Sequence, residues 1–150
     1  MEMKETVEYL EKKSENIGRY SDKMREAVKE IDRQLEEDFK QAGITFVDSI
    51  VVNTTYAPYG SSDHKLCITK ADVPGGNTVR AWGIFIADSE DEYMESPQWI
   101  GHVSRDMLKA VIPRLPEFLR LYSEKLAEKA SEYEEMSNIA EQMSNIVRGK

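Results

Sequence analysis

Glu135-Met136-Ser137-Asn138-Ile139 is followed by Gln142-Met143-Ser144-Asn145-Ile146, one pattern repeated at a spacing of seven residues. Met136, Ile139, Met143 and Ile146 therefore stand at i, i+3, i+7 and i+10. On a helix that spacing gathers four apolar side chains into one narrow seam, which needs a second helix to cover it. Extended towards the N-terminus, the stripe continues through Tyr133, Ala130, Leu126, Tyr122 and Leu119, so a helix is expected over 116–148.

The opposite end of the chain offers a matching partner. Val7, Leu10, Ile17, Tyr20, Met24, Val28, Ile31, Leu35 and Phe39 recur mostly at steps of three or four, and no proline interrupts them. A helix over 5–42 follows, stopped by Gly43. Two helices of about 30 to 37 residues, or roughly 45–55 Å each, are matched in length for an antiparallel hairpin. That pairing sets the basic row Arg25, Lys29, Arg33 beside the acidic row Glu124, Glu128, Glu132, Glu135, and places Val28 near Ala130. Exposed charge pairs contribute at most about 1 kcal/mol each, so they select register while the apolar seam supplies the stability.

Between the arms the period changes from helical to alternating. Segment 44–88 reads as a three-stranded antiparallel β-meander. Its strands are 44–56 (bent near Asp48-Ser49), Lys65–Lys70 and Thr78–Ala87, separated by turn-rich Ala57–Asp63 and Val73–Asn77. Ser96 and Pro97 signal a helix start, so a covering helix is expected over 97–112, with a break at Pro113 and Pro116. The expected fold is α+β: one domain over 1–150, built as a long helical hairpin carrying a meander head covered by one helix.

The chain has 150 residues, 32% charged, with a formal net charge of −8. That acidity argues against binding nucleic acid or anionic membranes without sequence preference. The single Cys67 allows no internal disulfide, and no apolar run reaches membrane-spanning length. Nor does Met1–Glu5 begin a secretory signal, so the expectation is a cytoplasmic protein.

Catalytic motifs are absent. His64, Cys67 and His102 are too few for a structural zinc site, which takes four ligands, so no metal and no cofactor is expected. Gly75-Gly76 lacks the lysine and following helix of a phosphate loop, and Glu90-Asp91-Glu92 lacks the alternating ligands of a calcium loop. Tyr56, Tyr59, Asp63 and His64 mark the first head loop as a partner-binding surface, because Tyr, Ser and Gly suit adaptable contacts. Trp82, Trp99 and His102 are grouped as the lining of a pocket between sheet and helix.

In outline (long helix, small sheet, long helix) the chain resembles the prefoldin type of chaperone subunit. That resemblance implies a chaperone-like role; the extra helix from Pro97 and the Pro113/Pro116 break depart from its pattern. The leading expectation is a non-enzymatic assembly or adaptor protein that self-associates through Met136, Ile139, Met143 and Ile146 and binds another protein. A small-ligand- or metal-responsive regulator is the alternative, and an enzyme of unrecognised type the third.

Overall fold

The computed structural model describes residues 2–57, 60–75, 77–88 and 97–149, with side chains at all of these except 48–57, 60–63 and 88. The chain forms two compact units, Met1–Arg114 and Leu115–Lys150.

The first unit begins with helix α1, Met3–Ala42, continuous over 40 residues. It ends where Gly43 turns left-handed (φ 62°) and donates its N–H to the Phe39 carbonyl. Ser21, Val28, Asp32 and Phe39 are its buried residues, one stripe along the inner half of the helix. Steps of seven, four and seven keep them on one side. This inner half packs chiefly against the sheet's third strand and the turn that follows its fourth. The outer half is solvated: Val7, Leu10, Ile17 and Tyr20 are all exposed.

The sheet contains β1 (Phe46–Ala57), β2 (Gly60–Val73), β3 (Val79–Asp88) and β4 (Gln98–Trp99), antiparallel in the order β1-β2-β3-β4. The expected meander is therefore present with a fourth strand added. Register irregularities in β1 between Val47 and Val51, and again before Asn53, fall where the sequence suggested a bend at Asp48-Ser49.

Two expectations are corrected here. Ala57–Asp63 is not a long loop: Tyr56 pairs with Ser61, Thr54 with Asp63 and Ala57 with Gly60, so β1 and β2 stay paired as far as Ala57 and Gly60. Ladder hydrogen bonding with β1 outweighs the turn preference of Ser61, Ser62 and Asp63. Pro58 and Tyr59 lie outside the described residues, as does the Ser96 proposed to cap a helix.

Nor is 97–112 one helix. Gln98 and Trp99 pair with Ile86 and Phe85, and Ile100–His102 forms a 3₁₀ turn. Helix α2 covers only Arg105–Val111, its start capped by Ser104 Oγ accepting from the Met107 N–H at 3.1 Å. Edge pairing on β3 takes the residues that Pro97 seemed to commit to a helix. A second 3₁₀ turn, Ile112–Arg114, marks the expected proline break.

Alternation along β2 and β3 buries both faces. Cys67, Ala71, Phe85 and Ala87 form one cluster, with Val73 and Trp99 packed against it. Leu66, Ile68, Ile84 and Ile86 alternate with them and are buried too.

The second unit is helix α3, Leu115–Gly149, with Pro116 in its first turn. Leu115, Phe118 and Tyr122 are buried, while Tyr133, Met136, Ile139, Met143 and Ile146 are exposed. Charges on each helix are matched locally: Lys29 with Glu26 and Arg33 with Glu30 on α1, Lys125 with Glu128 and Lys129 with Glu132 on α3. Arg120 joins Glu117 and Glu124, which lowers the Glu117 pKa and raises that of Arg120, chiefly through the hydrogen bonds between them. No described helix is long and apolar enough to cross a membrane.

Candidate functional site

The most structured polar feature of the first unit is a buried carboxylate that ties α1 to the sheet. Asp32 is only 6% exposed. Its Oδ1 accepts from the Ile84 N–H at 2.7 Å, and its Oδ2 accepts from the Trp99 indole Nε1–H at 3.0 Å. Each oxygen thus satisfies a donor that α1's approach would otherwise strand.

The backbone approaches side chains closely at two glycines, most severely at Gly101. A Cβ on Gly83 would stand 3.1 and 3.2 Å from the two Asp32 oxygens, and one on Gly101 would stand 2.3 Å from the Trp99 ring. Gly101 also presents its carbonyl to Arg25 Nη1 at 2.9 Å, a second polar link between α1 and the turn after β4. Gln98 Nε2 donates to the His102 carbonyl at 3.1 Å, closing that turn on itself.

Burial pushes the Asp32 pKa above the ordinary carboxylate value. The Ile84 and Trp99 hydrogen bonds oppose that shift, and the nearby Glu36 charge adds to it.

Next to this latch opens a cleft of about 520 Å³. Lys29, Asp32, Arg33 and Glu36 line it from α1; Val73, Pro74, Gly75, Val79 and Ala81 line it from the ends of β2 and β3. Trp82, Trp99 and His102, grouped as one pocket on sequence, all border this cleft. The Trp99 and His102 rings lie 5.7 Å apart, tilted by 37°. The sequence reasoning missed the α1 wall, above all Asp32. A usable signal existed: Asp32 stands four residues after Val28 and seven before Phe39, inside the apolar stripe.

The head-loop residues do not form a described surface. Tyr59 and the side chains of Tyr56 and Asp63 lie outside the described residues, and His64 is half-buried in β2 opposite Asn53. Three steps along a strand, His64 and Cys67 project to opposite faces. Among the described residues, no group of three or more His, Cys, Asp and Glu side chains could hold a metal ion.

Cys67 is fully buried, and burial pushes its thiol up to about 12. Thiol-specific alkylation at neutral pH should therefore proceed only as fast as the protein opens. Labelling timed against urea concentration checks this; rapid modification of the native protein would contradict it.

No known protein family, no curated protein and no solved structure matches this chain.

Proposed function

We propose that the protein is a non-enzymatic assembly protein that associates with a second copy of itself through its two long helices. The observation carrying this reading is the exposure of their outer seams. Met136, Ile139, Met143 and Ile146 are 56, 42, 61 and 74% exposed, and Val7, Leu10 and Ile17 are 44, 57 and 57% exposed. Both sets alternate steps of three and four once Ser14 is counted between Leu10 and Ile17. That is the spacing at which helices interlock as a coiled coil.

Charge indicates which helix covers which. Between Ala130 and Val147, α3 carries Glu132, Glu134, Glu135 and Glu141 and no Lys or Arg. The outer half of α1 carries Lys4, Lys12, Lys13 and Arg19 among its acids. With Glu5, Glu8, Glu11 and Glu15 balancing those four cations, pairing α1 with α3 avoids the like-charge repulsion that pairing α3 with a second α3 would bring. In the arrangement proposed, the two helices of a chain zip antiparallel and two such hairpins combine as a four-helix bundle. The strand-rich segment is left to present a surface to another protein.

Sedimentation equilibrium of wild type and of Met136→Lys/Ile139→Lys tests the proposal. Burying each of these side chains contributes roughly 1.5–3 kcal/mol. The variant should therefore self-associate about a hundredfold more weakly, or more weakly still. A wild type that stays monomeric across the accessible concentration range would refute the reading.

A further inference from the structure

The cleft beside Asp32 has features that the latch does not account for. Both Asp32 oxygens are occupied by N–H donors, so this carboxylate is structural and Glu36 is the one accessible acid in the lining. Lys29 and Arg33, on the same helix, bring two cations to that wall. Lys29 touches Glu26 only at 3.9 Å, and Arg33 uses Nη1 on Glu30 at 2.7 Å. A guanidinium has five N–H donors and an ammonium three, so both groups retain free donors at the cleft.

The lining is balanced in charge, Lys29 and Arg33 against Asp32 and Glu36, but Asp32 is taken up by its two N–H donors, so the two cations can take one carboxylate-type group and a second would bring excess negative charge. The opposite wall is apolar: Val73, Pro74, Val79 and Ala81. At one end stands the half-buried Trp99, its Nε1 tied down and its ring held against Gly101, so the indole is fixed in place before any ligand arrives. The volume, about 520 Å³, falls in the range of small-molecule sites.

We infer that this cleft binds a flat organic monoanion, an aromatic or similarly planar apolar body carrying one carboxylate-type group. The body lies between Trp99 and the Val73–Pro74 wall, and the anionic group meets Lys29 and Arg33. A polyanion is disfavoured by Glu36 on the same rim. This site involves none of the seam residues, so it stands or falls separately from self-association.

The test titrates the full-length protein with naphthoate and with its neutral analogue naphthalenemethanol, following amide and indole N–H resonances. Naphthoate should shift the Trp99 indole N–H saturably, together with the backbone amides of Lys29 and Arg33. The alcohol should bind about tenfold more weakly, and Lys29→Met/Arg33→Met should weaken naphthoate by about the same factor. Met136→Lys/Ile139→Lys should bind it as wild type does. Absence of a shift, equal binding of the alcohol, or shifts confined to the α3 seam would each overturn the inference.

Discussion

Replacing Asp32 by alanine should destabilise the first unit by about 2–5 kcal/mol, because the buried Ile84 N–H and the part-buried Trp99 Nε1–H lose their acceptor together. Asparagine is the more informative substitution. Its carbonyl can still accept from Ile84, but its amide then turns a donor towards the donor on Trp99. A loss of about 1–3 kcal/mol is expected from that one mismatch. Urea unfolding followed by tryptophan emission measures both, and a neutral Asp32→Asn would show that the indole contact contributes nothing.

Acidification separates charge from geometry in the same pair. The folded pKa of Asp32 is raised by burial, so the native state is penalised while the group is ionised. As pH falls through that raised value the penalty is relieved, and relief is complete below the ordinary carboxylate pKa. Wild type should therefore gain stability relative to Asp32→Asn between neutral pH and the acid carboxylate range. A constant difference across that window would mean that Asp32 titrates alike in folded and unfolded chains.

The second large effect is expected at Gly101. A Cβ there would stand 2.3, 2.5 and 2.7 Å from three atoms of the Trp99 six-membered ring. Carbon atoms pack at about 3.5–4.0 Å, so the indole must move. Moving it withdraws Nε1 from Asp32 and disturbs the Gly101 carbonyl that accepts from Arg25. Overpacking and loss of a hydrogen bond to a charged acceptor together predict about 3 kcal/mol or more for Gly101→Val, with a red-shifted tryptophan emission. Because both substitutions release the same indole, Gly101→Val and Asp32→Ala should be less than additive when combined. Full additivity would show that the ring keeps its place.

What could be read from the sequence divides by length and by chemistry. The long helices were legible because many repeats average out local exceptions: 5–42 was expected and Met3–Ala42 is found, 116–148 was expected and Leu115–Gly149 is found. β3 was legible for a related reason, since Val79, Trp82, Ile84, Phe85 and Ile86 make it rich in β-branched and aromatic residues. β4 was not. Two residues, Gln98 and Trp99, carry no period, and Pro97 before them imitates a helix start. The Ala57–Asp63 stretch misled through its turn-forming composition, because strand pairing depends on β1 lying alongside rather than on local preference.

At the cleft, Trp82, Trp99 and His102 could be grouped because aromatic residues are conspicuous. Asp32 looked like one more charge on a highly charged helix. Only its phase, between Val28 and Phe39, distinguished it from solvated neighbours such as Arg33 and Glu30.

The unbroken hydrogen bonding of α1 has one last mechanical consequence. From Leu10 to Asp32 the helix runs roughly 33 Å without a proline. A load on the far turns would work the long arm of a lever that rests on β3, and rotation of that arm would bear on the carboxylate grip around the indole.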